Sequence, residues 1–234
     1  KTLSYIRRKK TPDFLQEADT MAFDGFVISN IVTELKQKIA GGRIYKIYQP
    51  ETDEITLVIK KERNTMRLHI SASASLPLIY LTTETKTNPM QAPNFCMLLR
   101  KHLSNGRIVS ICQPDFERII DITVEHLDEL GDVCQKHLIV ELMGKHSNII
   151  FTDSEGMILD SIKHISANIS SVREVLPGRT YCAPPSKGKH SIFMLTPELF
   201  ANEIIKKPLS LTKALYTSIT GMSPLIANEV CYRA

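Results

Sequence analysis

Several signatures are missing from this chain. Its five cysteines include no Cys-x-x-Cys pair. Their odd number fits a reducing cytosol better than a disulfide scaffold. The seven histidines show neither His-x-x-x-His nor His-Glu-x-x-His spacing, so no metal is expected. There is no Walker loop and no dinucleotide fingerprint; Gly41-Gly42 reads as a helix stop, and no cofactor is expected. His146-Ser147 lacks the Gly-x-Ser-x-Gly frame of a nucleophile elbow, and Cys96 lies on an apolar helical stripe, where cysteine serves packing. No catalytic residue is therefore expected. No apolar run approaches the roughly 20 residues of a membrane span, and no apolar core follows the basic N-terminal run as in a secretory signal.

Charge of one sign is also scarce. The balance of 29 Lys/Arg against 25 Asp/Glu gives +4, and residues 1–20, with five basic and three acidic side chains, hold about half of it. That residue of charge does not by itself indicate nucleic acid. Residues 1–20 read as a leader or tag outside the folded unit, with Arg7-Arg8-Lys9-Lys10 as a solvated run and Met21 as the natural start. A basic arm touching nucleic acid is the competing reading.

What is present is a recurring pattern of helix, strand, turn and strand. In Pro93–Glu125, Pro93 suits a first helical turn. Phe95, Leu98, Leu99 and Leu103 give an apolar stripe, Asn105-Gly106 a stop, and 108–112 a strand with Ile108, Ser110 and Cys112 on one face and Val109 and Ile111 on the other. Gln113-Pro114-Asp115 is a turn, and a β-branched strand follows. The same order occurs over Ile31–Ile59. Gly42-Arg43-Ile44 and Gly106-Arg107-Ile108, like Gln49-Pro50 and Gln113-Pro114, stand 64 residues apart, which indicates internal duplication. At that offset Glu117-Arg118 aligns with Asp53-Glu54, and only the second copy sets an acid beside an arginine.

Asp24 or Ser29 is the expected cap of a first helix whose stripe is Ile28, Ile31, Leu35 and Ile39. Strands are expected at 43–48, 54–60, 66–71, 76–81, 136–143, 149–152 and within 157–165. Residues 186–190 form the best boundary, dividing the chain into 21–188 and a helical 189–234. In the latter, Thr196-Pro197 starts a helix, and Gly221-Met222-Ser223-Pro224 separates two more. This arrangement is helix-hairpin-helix-like, and the N–H groups of its turn could face a phosphate.

Binding chemistry is better represented than catalysis. Glu117-Arg118 sets an acceptor beside a five-donor fork that grips phosphate or stacks on a base. Arg43, Arg100, Lys101, Arg107, Lys145, His146 and Lys163 add positive charge, with Asn148 beside the turn, and these groups could serve as RNA backbone contacts if the turns converge on one end of a sheet. An internal salt bridge or a solvated edge is the plainer role for each of them.

Phe23-Asp24-Gly25, Arg43–Pro50, Asn94–Leu103, Glu141–Ile149 and Leu176–Tyr181 together resemble the NFACT-N domain of the RqcH/NEMF family, whose bacterial members are often labelled fibronectin- or fibrinogen-binding protein A. The resemblance runs from about Phe23 through the helical tail. It implies an α+β fold in which duplicated helix–strand–strand units form a β-rich domain like the N-terminal domain of formamidopyrimidine-DNA glycosylases, followed by a helix-hairpin-helix-like domain. It implies no glycosylase activity, because the N-terminal proline nucleophile and glutamate of those enzymes are absent. The implied partners are tRNA, alanyl-tRNA in particular, and large ribosomal subunits obstructed by peptidyl-tRNA. The implied role is cytoplasmic, positioning substrates for mRNA-independent alanine tailing. The family's Asp-Arg pair, linked to tRNA, falls on Glu117-Arg118, with one extra methylene at the acid. Its Glu-Ile-Met segment falls on Glu141-Leu142-Met143, with Leu for Ile. Alternatives are a fibronectin-binding surface adhesin, against which the missing secretion signal, wall anchor and disulfides count, and a DNA-binding module.

Overall fold

The computed structural model describes residues 23–128, 130–186 and 188–234; the readings of residues 1–20 and of Met21 lie outside them. Helix α1 (Gly25–Ile39) begins where the Asp24 carboxylate accepts from the Val27 N–H at 2.9 Å, so Asp24 is the cap and Ser29 is not. Strands β1 (Arg43–Tyr48), β2 (Glu54–Lys61), β3 (Asn64–Ser71) and β4 (Leu78–Thr82) follow. Helix α2 (Asn94–Leu103) then leads into β5 (Arg107–Cys112), β6 (Ile119–Leu127), β7 (Val133–Glu141), β8 (Asn148–Asp153) and β9 (Ile158–Ser161).

Among the described residues these strands form one antiparallel sheet in the order β4-β3-β2-β1-β5-β6-β7-β8-β9. The two halves meet between β1 and β5. There the Ile44 N–H donates to the Gly106 carbonyl and the Ile108 N–H to the Gly42 carbonyl, each at 2.9 Å. Both glycines are required by crowding: a Cβ on Gly42 would lie 2.7 Å from Ile59, and one on Gly106 2.6 Å from Val124. The helices cross over, α1 packing on β5 and α2 on β1. Their buried side chains (Ile28, Leu35, Ile39, Phe95, Leu99, Leu103) share one core with Ile44, Ile47, Ile108, Ile111 and Phe151. The Lys163 ammonium donates to the Ala72 carbonyl and so ties the segment after β9 to the end of β3.

The expected alternation along 108–112 is corrected. Ile108 and Ile111 are buried, while Val109 and Ser110 are both exposed. A bulge between Ile108 and Ser110 sets two residues against one on β6, and β1 carries the same irregularity between Ile44 and Lys46. A bulge flips the period-2 pattern beyond it.

The 64-residue offset holds through β1 and β5 but becomes 65 after the next turn. Ile47 faces Leu57, whereas Ile111 faces Ile122. The Gln49 side chain donates to the Thr52 carbonyl and that of Gln113 to the Glu117 carbonyl. The Asp53 carbonyl accepts from Ala72, and the Arg118 carbonyl from Leu142. The residue that occupies Arg118's place in the first half is therefore Asp53, not Glu54, and Glu117 corresponds to Thr52. The second turn is one residue longer.

The C-terminal part is helical: α3 (Pro197–Leu199) runs into a π-helical turn (Phe200–Ile205), followed by α4 (Leu211–Ser218) and α5 (Pro224–Arg233). Thr196, Ser210 and Ser223 cap them. Ile204, Ala214, Leu215, Ile219, Met222 and Ala227 form a small core that Phe26 of α1 joins. His190 is bridged to this part, donating its N–H to Ser218 and accepting from Thr220.

The turn between α4 and α5, whose N–H groups the sequence offered to a phosphate, is instead largely buried. It is packed against the sheet domain: the Gly25 N–H donates to the Gly221 carbonyl at 2.7 Å, and the Ser223 hydroxyl to the Asp24 carboxylate at 2.6 Å. A Cβ on Gly221 would sit 2.2 Å from the Phe116 carbonyl oxygen, and φ there is +70°. Gly178 has a similar φ of +79° but open space around it. Gly221→Ala should thus cost about 3 kcal/mol or more, from overpacking added to left-handed strain, whereas Gly178→Ala should cost only about 1–2 kcal/mol. Urea unfolding of the two variants measures the difference.

Candidate functional site

The turn between β5 and β6 is strained. Pro114–Phe116 forms a 3-10 turn in which Asp115 (φ 48°) and Phe116 (φ 61°) both take left-handed conformations. Each such non-glycine residue costs about 1–2 kcal/mol. Packing holds them. The Phe116 ring lies edge-on to Phe26 at 4.9 Å and to Phe193 at 5.6 Å. The Gln113 amide donates to the Gly25 carbonyl at 2.8 Å and to the Glu117 carbonyl at 2.9 Å. Glu117 and Arg118 therefore leave a turn whose conformation is set by both parts of the chain.

Glu117 is half-buried, and burial raises its pKa above the usual carboxylate range although Arg118 and Lys189 oppose this. Arg118 is partly exposed and has no ion pair or side-chain hydrogen bond among the described residues. Its fork is available to a ligand.

The segment Glu141-Leu142-Met143 lies beside this pair, since Ile119 faces Glu141 and the Leu142 N–H donates to the Arg118 carbonyl. The Glu141 carboxylate, however, is 0% exposed. It takes both arms of the Arg173 guanidinium and the Tyr181 hydroxyl, the latter at 3.0 Å. Arg173 also donates to the Cys182 carbonyl at 2.8 Å. Burial and then the Glu141 charge push the Tyr181 phenol well above its ordinary pKa. Leu142 is enclosed in the core and Met143 packs against Ile119 and its neighbours. Neither the Glu141 nor the Leu142 side chain is placed to touch a ligand. Glu141 instead ties the segment around 173–182 to the sheet, a role that the sequence did not signal because its partners lie 32 and 40 residues away.

The basic residues divide into groups. Lys145 and His146 are exposed on the 3-10 turn after β7, at the same end of the sheet as Arg118. Asn148 is buried and clasps the Lys163 backbone through both of its side-chain atoms, at 2.9 and 3.1 Å. Ser147 accepts from the Met143 N–H at 2.8 Å, as turn chemistry requires. Arg43 and Arg107 face each other across the β1–β5 seam. Arg107 sits opposite Glu125, seven residues along β6 from Arg118, roughly 23 Å away. Arg100 donates to the Ile47 carbonyl at 2.9 Å beside the Tyr48 ring, and Lys101 is exposed on α2. The expected convergence is thus partial: Arg118, Lys145 and His146 share an end that Arg43 and Arg107 do not. Among the described residues no cluster could hold a metal and no helix is long and apolar enough to cross a membrane.

Residues 24–234 match the family described as NFACT N-terminal and middle domains. The chain belongs to this family. It is 38% identical over 215 residues to the Rqc2 homolog RqcH of Bacillus subtilis, covering 92% of this NFACT chain and 38% of that protein. It is 42% identical over 212 residues to the RqcH of Streptococcus pneumoniae, again 38% of that protein. The NFACT chain thus spans well under half the length of these relatives. Among solved structures, the N-terminal domain of the fibronectin-binding protein PavA from Streptococcus pneumoniae superposes with a TM-score of 0.81 at 41% identity, over 89% of this chain and 78% of that one.

Two outcomes test this geometry. Arg173→Met should destabilise the NFACT chain by about 3–5 kcal/mol in urea unfolding, because it strands a buried carboxylate. Ionising Glu117 costs more in the folded chain than in the unfolded one. Its contribution is therefore intact below the ordinary carboxylate range and is lost as pH rises through the raised folded value. Glu117→Gln should melt above wild type at about pH 7.5 and converge with it near pH 4; a thermal melt at both values measures this.

Proposed function

We propose that this chain is the N-terminal part of a ribosome-associated quality-control factor. In this reading it engages tRNA and large ribosomal subunits obstructed by peptidyl-tRNA, supporting mRNA-independent alanine tailing of the stalled chain in the cytoplasm. The relatives named as RqcH, and the ribosome quality control complex subunit NEMF of Homo sapiens at 28% identity over 133 residues, support the setting. The observation that carries the site is Arg118: an unpaired guanidinium beside a half-buried carboxylate, on a turn clamped by Gln113 and Phe116.

The chemistry follows from those features. The guanidinium can take a phosphate with two parallel hydrogen bonds or stack on an exposed base. Glu117 keeps an acceptor next to it and excludes a second anion from the same place. Lys145 and His146 extend the positive end of the sheet. The chain positions its RNA, and peptide-bond chemistry belongs to the ribosome. The recurring units around the β1–β5 seam are read as an internal duplication of glycosylase-like descent, followed by a helix-hairpin-helix-like domain that buttresses the Arg118 turn through Gly221 rather than contacting RNA with its own turn.

Arg118→Ala should weaken tRNA binding by about 1–3 kcal/mol, a loss of roughly five- to 150-fold, and lower the slope of log affinity against log salt by roughly one. Titration of tRNA-Ala, a second tRNA and a DNA duplex across a salt series checks this. Unchanged tRNA affinity in the variant would remove Arg118 from the site, and equal competition by the duplex would favour a DNA-binding module. The names of the solved neighbours raise a second reading, fibronectin binding. Immobilised fibronectin in the same titration discriminates, since an adhesin would bind it independently of Arg118.

A further inference from the structure

The outer face of β1–β3, on the half of the sheet opposite Arg118, carries a cleft of about 330 Å³. Its floor is Tyr45, Lys46 and Tyr48 of β1, Thr56, Val58 and Lys60 of β2, and Thr65 and Arg67 of β3. Its wall is the segment after β4, held by Lys86, which donates to both Glu54 carboxylate oxygens at 2.8 and 2.6 Å. The bulge in β1 turns Tyr45 and Lys46 outward together. The Lys60 ammonium lies 3.5 Å from the Tyr45 ring centroid and that of Lys46 5.3 Å. Lys46, Lys60 and Arg67 have no carboxylate partner among the described residues, and Glu84 is the lone acid of the lining. A second concavity of about 360 Å³ adjoins it, shares Tyr45 and Lys60, and adds Arg43, Lys61 and Asn105 with one acid, Glu62. A cationic track with aromatic rings therefore runs across this face.

The other half of the same sheet provides an internal control. By strand register, Val109, Ser110 and Cys112 take the places of Tyr45, Lys46 and Tyr48, and Glu125 takes that of Lys60. The fold is built without tyrosine or lysine there, so packing does not demand them in the first half. We propose that this cleft binds a short unpaired stretch of RNA, with a base against the Tyr45 and Tyr48 rings and phosphates on Lys46, Lys60 and Arg67. This is the pairing of charge and stacking by which single strands are held. An acidic peptide would use the cations and leave the rings idle. The inference rests on the reading that this chain works on RNA, but not on Arg118.

The test is binding of a fluorescent decauridine and of tRNA to the chain and its variants. Tyr45→Ala and Lys60→Glu, the latter installing the residue of the opposite half, should each weaken decauridine binding about tenfold, with thermal midpoints unchanged. Tyr45→Phe should bind as wild type, and Arg118→Ala should leave decauridine affinity unaltered. Unchanged binding in Tyr45→Ala, or displacement of decauridine by an oligoglutamate of equal charge, would overturn the proposal. If decauridine binding depends on Tyr45 while tRNA binding ignores Arg118, the cleft stands and the reading of the Arg118 site falls; the reverse pattern removes the cleft alone.

Discussion

Two glycines packed against one carbonyl join the two parts of the molecule. Gly25 at the start of α1 and Gly221 between α4 and α5 pack against each other and against the Phe116 carbonyl with no room for a Cβ on either. Asp24 caps α1 with one carboxylate oxygen and receives the Ser223 hydroxyl, itself the cap of α5, on the other. One short segment thus fixes the beginning of the first helix, the beginning of the last, and the turn that leads to Arg118. Two left-handed non-glycine residues at that turn persist because rings from both parts, Phe26 and Phe193, surround Phe116. Strain of that kind lasts only where surrounding contacts over-determine it. The helical part therefore acts on the candidate site from behind, as a buttress.

Features with a local cause were legible in the sequence. The caps at Asp24 and Thr196, Pro197 at the start of α3, and the strands around 43–48 and 54–60 follow from neighbours a few residues away, and the structure has them, whereas Pro93 stands one residue before α2 as its extended cap. The acidic stretch 127–135 reads as a loop, yet β6 and β7 run on to Leu127 and from Val133, because nine-residue pairing carries the ladder through polar residues. The strand faces beyond the bulges were not legible, since a bulge depends on how β1 and β5 approach through Gly42 and Gly106, a contact made 64 residues apart. The Glu117-Arg118 pair could be read as a donor and an acceptor. Whether Arg118 has a partner could not, because freedom from a salt bridge is a property of everything folded around it.

Glu141 shows the same limit from the other side. The resemblance implied a tRNA-facing role for Glu141, which an exposed side chain would serve. Arg173 and Tyr181 come from a polar stretch with no periodic pattern, and they cover it completely. A buried carboxylate with two such partners contributes little net stability. What it does is fix geometry, fastening the 173–182 segment next to the strand that carries Arg118.

The two halves of the sheet then explain each other. Their ladders match through the seam and diverge at one turn, where the second half has an extra residue. That addition accounts for the left-handed pair, brings Phe116 into the junction, and allows Gln113 to bridge Gly25 and Glu117 where Gln49 reaches only Thr52. At the next position Asp53 in one half becomes Arg118 in the other. Asp53 looks toward Lys163, a cation already held by the Ala72 carbonyl, and its charge is used within the fold. Arg118 has the adjacent Glu117 charge beside it but no ion pair or side-chain hydrogen bond among the described residues. On the outer face the contrast runs the other way: there the first half keeps tyrosines and lysines without a carboxylate partner among the described residues, while the second holds Val109, Ser110 and Glu125. Each half thus carries, at one place, positive side chains with no carboxylate ion pair among the described residues where its counterpart does not, so neither cluster is a requirement of the shared architecture.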